Sequence, residues 1–127
     1  MANTIKTYRQ VVQQLLTSYV QIPYSYDDLA DEAIFDHQMD RYLLLTMGWQ
    51  GQTRVHTCMI HLDIRDGKVW LQCNNTDQNI VQELVEHGIA REDIILPKPP
   101  RAKRPSRYAV ATMPMAANHL SAKRHAY

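Results

Sequence analysis

The sequence predicts an α+β fold: an antiparallel meander of about four strands, with an N-terminal helix and a second helix packed on one face. Two observations carry this. Residues 41–74 (RYLLLTMGWQGQTRVHTCMIHLDIRDGKVWLQCN) fall into three strand-like runs separated by two short turn signals. Apolar residues at helical spacing precede that stretch and follow it.

In chain order, Asn3 or Thr4 is the expected cap of a first helix ending near Tyr19. Its apolar stripe is Ile5, Tyr8, Val12, Leu15, Leu16 and Tyr19, with Arg9, Gln13 and Gln14 largely on the other side. Ile22-Pro23 ends it, because proline disfavours helix at the residue before it. Tyr24, Ser25 and Tyr26 lead into an acidic loop at Asp27-Asp28. Ala33 to Asp36 form a short strand, the fourth member of the sheet, and His37 to Asp40 the turn into the meander.

Within the meander, Gln50-Gly51 and Asp66-Gly67 occupy the places of two-residue hairpin turns. A turn at Asp66-Gly67 sets Ile64 opposite Val69, Leu62 opposite Leu71 and Ile60 opposite Cys73. A turn at Gln50-Gly51 sets Leu45 opposite His56 and Met47 opposite Arg54. One face then collects Leu43, Leu45, Met47, Trp49, Cys58, Ile60, Leu62, Ile64, Val69 and Leu71, and the helices are expected to cover it. His56 is expected within this apolar face as a hydrogen-bonded core histidine. After the meander, residues 74–77 offer helix caps, and Ile80, Val81, Leu84 and Val85 form the stripe of a helix reaching His87. Gly88 stops it in the left-handed conformation. A short turn and a closing apolar segment, Ile94-Ile95-Leu96, follow. Pro97, Pro99, Pro100 and Pro105 interrupt regular structure, and residues 107–111 are a candidate edge strand.

The 127 residues suffice for one domain, expected over residues 1–111, with 112–127 as an extension and a basic, proline-containing segment beginning at 97. No apolar run is long enough to span a bilayer, and the N-terminus lacks the charged-then-apolar layout of a secretory signal, so a cytoplasmic protein is expected. Cys58 and Cys73 lack metal-ligand spacing and read as buried free thiols of a reducing compartment rather than a disulfide. The net charge of +1 conceals an asymmetry. Residues 1–96 hold seven Lys/Arg against thirteen Asp/Glu, a net −6, whereas residues 97–127 hold seven Lys/Arg and no acid. Such a tail suits an anionic partner, or it folds back on its own acidic body.

A series of blocks in order resembles a known family. They are Tyr8-Arg9-Gln10-Val11-Val12, Ile22-Pro23-Tyr24, Asp40-Arg41-Tyr42-Leu43-Leu44, Gly48-Trp49 and Arg54-Val55-His56. Then come Ile60-His61-Leu62-Asp63-Ile64, Gly67-Lys68-Val69-Trp70-Leu71-Gln72, Gly88-Ile89, Asp93-Ile94-Ile95-Leu96 and Tyr108-Ala109-Val110-Ala111. Together they resemble the XisI family, the cyanobacterial fdxN element excision controlling factors. The resemblance implies a small non-enzymatic accessory protein that acts beside an XisH-like, nuclease-fold partner to control excision of a DNA element. After Leu96 the chain departs from the family pattern: Pro97-Lys98-Pro99-Pro100-Arg101 stands where a glycine and aromatic segment is usual.

Three groupings are candidates for function. His61 and Asp63 share one face of the central strand, with Tyr42, Thr57 and Trp70 nearby, and could form an acid–base pair. No nucleophile elbow, zinc spacing or phosphate loop accompanies them, so a solvated or interfacial polar pair is the plainer reading; no catalytic residue, metal or cofactor is assigned. The second face of the meander, with Tyr42, Leu44, Thr46, Val55, Thr57, Met59, His61, Asp63, Trp70 and Gln72, is too apolar for a solvated surface and too polar for a second core. It is expected to bind a second copy of the chain or the XisH-like partner through Tyr42, Leu44, Val55, Thr57, Met59, His61 and Trp70, unless the C-terminal segment or first helix covers it. Finally, Lys98, Arg101, Lys103, Arg104 and Arg107 could contact DNA phosphates, with the alternative of a solvated extension.

Overall fold

The computed structural model describes residues 2–23 and 28–100. Helix α1 (Ala2–Val20) starts ahead of Asn3 and Thr4, so neither caps it. It ends before Ile22-Pro23 as expected. Tyr8, Val12, Leu15, Leu16 and Tyr19 are buried along its inner side, together with Val11. Each such side chain contributes about 1.5–3 kcal/mol of transfer free energy.

Five strands form one sheet in sequence order: β1 (Asp28–Asp36), β2 (Arg41–Gln50), β3 (Thr53–Arg65), β4 (Lys68–Asn74) and β5 (Ile94–Ile95). The first four are antiparallel, and β5 lies parallel to β4. β1 is longer than the short strand expected at Ala33 to Asp36, and the closing apolar segment supplies the fifth strand. Residues 107–111 lie outside the described residues, as do the acidic-loop residue Asp27 and the extension from 112.

The Asp66-Gly67 turn forms as expected, with φ of 54° and 74°, the two positive values of a type I′ turn. Ile64 pairs with Val69 and Leu62 with Leu71. The other hairpin turns one residue later than expected. Gln50 pairs with Thr53, so Gly51-Gln52 is the turn, and Gly51 takes φ +62° at its first central position. Glycine there fits a type II′ turn. Met47 therefore faces His56, and Trp49 faces Arg54.

Two bulges decide which side chains face the helices. On β3 the register shifts between the pairs Leu44–Ile60 and Leu45–Cys58, leaving Met59 as the extra residue. On β4 it shifts between Leu62–Leu71 and His61–Cys73, leaving Gln72 as the extra residue, so Ile60 meets Asn74 and not Cys73. An added residue reverses the alternation beyond it. Hence Ile60, Leu62, Ile64, Val69 and Leu71 face the helices as expected, but their β2 neighbours are Tyr42 and Leu44. Leu43, Leu45, Met47, Trp49 and Cys58, expected in the core, stand on the opposite side. So does His56, which is exposed opposite Met47.

Helix α2 (Ile80–Glu86) adds Ile80 and Leu84 to the core. Its cap is Asn79, whose side chain accepts a hydrogen bond from the Gln82 amide at 3.1 Å, and not a residue of 74–77. Gly88 ends it at φ +110°. A 3-10 turn (Arg91–Asp93) then places β5 beside β4.

Side-chain bonds lock these layers together. Arg9 donates twice to Asp40, at 2.8 and 2.9 Å, and the Tyr42 hydroxyl donates to the same carboxylate at 2.8 Å. The Arg9 bond holds Asp40 below the usual carboxylate range, while burial and the bond to Asp40 push Tyr42 up to about 12. Tyr8 donates to Asp93 at 2.5 Å, and Lys68 reaches that carboxylate at 2.9 Å. Tyr19 donates to Glu83 at 2.9 Å, tying α1 to α2.

Candidate functional site

Both helices pack against the side bearing Tyr42, Leu44, Ile60 and Leu62. Among the described residues, no helix or strand covers the other side. The pairing lays that outer face out in rungs: Asp36–Arg41–Asp63–Trp70–Ile95, then Ile34–Leu43–His61–Cys73, Glu32–Leu45–Cys58, Ala30–Met47–His56 and Asp28–Trp49–Arg54. Leu43, Leu45 and Met47 are half-buried by their neighbours alone, while Ile34 is 45% and Trp49 47% exposed. The Arg54 guanidinium lies 5.5 Å from the Trp49 ring centre, and that of Arg65 lies 5.1 Å from the centre of Trp70. Such stacking holds each cation against the face.

Of the seven residues expected to form a docking face, the structure unites only two, His61 and Trp70. Tyr42 is 0% exposed, Leu44 1%, Val55 0% and Met59 3%, all in the core, and Thr57 pairs with Thr46 on the helix side. The grouping followed from an unbroken alternation along β3, which the Met59 bulge interrupts. Glutamate at Leu44 or Met59 would therefore unfold the domain and not probe an interface. The outer-face residues that the grouping missed are Ile34, Leu43, Leu45, Met47, Trp49 and Ile95. A signal existed in the consecutive apolar residues Cys58, Met59 and Ile60, which strict alternation cannot accommodate.

At one end of this face sits a polar cluster. Asp63 is 4% exposed, accepts from Gln72 Nε2 at 3.2 Å and lies 2.8 Å from His61 Nε2. The Arg41 and Arg65 guanidiniums stand 3.9 and 3.6 Å from its oxygens. An ionised carboxylate there accepts from Nε2–H and holds the ring, so the neutral imidazole keeps its lone pair on Nδ1. Tyr42 and Thr57, expected beside this pair, are on the other side of the sheet. The cluster is thus a carboxylate ringed by donors, an arrangement that fixes the face. No group of three or more His, Cys, Asp or Glu among the described residues is arranged to hold a metal ion.

The two thiols are free, half-buried and on this face. Cys73 Sγ is 3.7 Å from the Cys58 carbonyl oxygen and accepts from Asn75 Nδ2 at 3.3 Å. Cys58 Sγ donates to the Ile60 carbonyl at 3.6 Å, and the interaction of the two thiols draws Cys73 down and, with burial, pushes Cys58 up. Of the basic tail set, Lys98 is exposed, and Arg101, Lys103, Arg104 and Arg107 lie outside the described residues. No helix among the described residues is long and apolar enough to cross a membrane.

A family model described as XisI protein matches residues 1–110. A solved XisI-like protein from Anabaena variabilis ATCC 29413 is 44% identical, with 73% of this chain and 84% of that one covered and a TM-score of 0.67. The fdxN element excision controlling factor XisI from the same organism is 35% identical, with 73% and 90% covered and a TM-score of 0.60. No curated protein matches.

Proposed function

We propose that this chain, which belongs to the XisI family, is an accessory controlling factor for excision of a DNA element that acts by binding protein and not by catalysis. The family match and the likeness to an excision controlling factor support the role in excision control. The observation that carries the mode of action is the outer face of the sheet, which no helix or strand among the described residues covers, with leucines, methionine and tryptophan beside a fixed polar cluster. Partly polar faces with aromatic and methionine side chains are what protein–protein contacts are made of.

The partner is an XisH-like protein in the cytoplasm. Co-expression of this chain, tagged, with such a protein should return both, and return of the tagged chain alone would sink the proposal. A second reading, an inhibitor of a nuclease-fold partner, draws support from the net −6 of residues 1–96, which suits masking a surface built for phosphates. A nuclease assay of the partner with and without this chain separates the two. DNA contact comes through that partner or through the tail. If the tail binds, affinity drops steeply with salt and vanishes on deletion of residues 98–127; a flat salt response removes the tail from the account.

A further inference from the structure

We infer that the outer face is filled by a second copy of this chain, the two sheets stacking about a two-fold axis that runs along the strands at the seam between β2 and β3. This rests on the reading of that face as a protein-docking surface and names its occupant.

Four to five strands at about 4.8 Å by some nine residues at about 3.3 Å give roughly 600 Å² of face. Two copies therefore bury on the order of 1,200 Å², the lower bound of a stable specific interface.

The β1 margin carries Asp28 and Asp36 on the outer face, whereas Arg54 and Arg65 stand on β3. Asp28 and Arg54 share one rung through Trp49. A two-fold axis perpendicular to the strands would stack β1 on β1, acid over acid. An axis along the strands keeps each rung at its own level and exchanges the margins. Asp28 of each copy then approaches Arg54 of the other, and Asp36 approaches the end where Arg65 stands. Leu43 and Leu45 on β2 meet the β3 side of the second copy, which removes the central apolar side chains from water. Outside the Arg41–Asp63 pair on the two central strands, the acids stand in a column on β1 and the cations in a column on β3, so the face complements itself. The tail from residue 101 carries only positive charge and would complement one column while opposing the other. The XisH-like partner then competes with the second copy for this face.

Native mass measurement of the full chain at micromolar concentration is the test, with expected mass twice that of one chain. Leu45→Glu should weaken the pair at least tenfold with the far-ultraviolet dichroism unchanged. Arg54→Glu alone and Asp28→Arg alone should each give monomers, since each sets like charges opposite. Mixing those two variants should restore a dimer, because the mixed pair regains both attractions. A monomeric wild-type chain, a dimer indifferent to Leu45→Glu, or a mixture that stays monomeric overturns the inference, as does a dimer lost only on deleting residues 101–127. A monomer that still forms a one-to-one complex with an XisH-like protein overturns the dimer and leaves the proposed function standing. A monomer that captures no partner removes both.

Discussion

His61 and Asp63 meet at 2.8 Å on the side of the sheet that carries no helix among the described residues, yet the carboxylate is 4% exposed. An acid so enclosed is tolerable because every neighbour is a donor: His61, Gln72, Arg41 and Arg65. Removing it leaves those donors facing one another. Asp63→Ala is expected to cost about 1–3 kcal/mol, the usual range for stranding a hydrogen-bonded group. Urea denaturation measures it, and a loss below about 0.5 kcal/mol would show that the cluster is an ordinary surface set.

The bulge at Met59 makes adjacent leucines on β2 unequal. Leu44 is 1% exposed against the helices, while Leu45 is half-buried on the outer face. Leu44→Ala should cost about 2–5 kcal/mol, the range for emptying a core site. In a chain held monomeric by Arg54→Glu, Leu45→Ala should cost about 1 kcal/mol or less. The two midpoints in denaturant compare them directly, and the opposite order would mean that the faces are exchanged.

Gly48 lies where β1 begins to pair with β2, at φ +142°, and a Cβ there would sit 1.9 Å from the Asp28 carbonyl oxygen. Backbone and not a flexible side chain stands in the way, so β1 must detach or the strand must shift. Gly48→Ala should destabilise by more than about 2 kcal/mol. Gly88→Ala, at φ +110° with open space around it, should cost only about 1 kcal/mol of backbone strain. Thermal melting of both variants provides the comparison.

Acid and alkali should each release one bond of the Arg9–Asp40–Tyr42 set. Asp40 is held low chiefly by the Arg9 hydrogen bond, so its contribution is present above the unfolded carboxylate value and is lost as pH falls through the depressed folded value. Tyr42 is raised to about 12, so its contribution is complete below the free tyrosine value and is lost as pH rises from about 10 towards 12. Asp40→Asn should flatten the stability profile below about pH 4 relative to wild type. Parallel profiles for the two proteins would show that this carboxylate does not govern acid unfolding.

Much of the fold was legible because local chemistry and tertiary pairing agree. Asp66-Gly67 demands two left-handed residues and receives them, and the α1 stripe and Pro23 fix that helix. The docking face was legible as an idea but not in its membership. Leu43, Leu44 and Leu45 are all apolar, so alternation gives no sign of which side each takes, and Met59 adds its step inside another apolar run. Gly51 admits two hairpins, and the type II′ geometry that wins shifts the pairing by two. β5 was hidden for another reason: two isoleucines become a strand only because β4 has a free edge, which no local signal reports. Asn79 was passed over as a cap because 74–77 offered richer candidates, of which Asn74 instead closes a turn onto the Thr76 amide.

Because Met59 is one residue more than its partner strand supplies, the letters before it and after it obey opposite conventions for inside and outside. Relatives of this chain matched by greasy-polar rhythm alone will slip by one step in this strand. A comparison that keeps count of the kink will instead place Cys58 beside surface letters and Ile60 beside core letters.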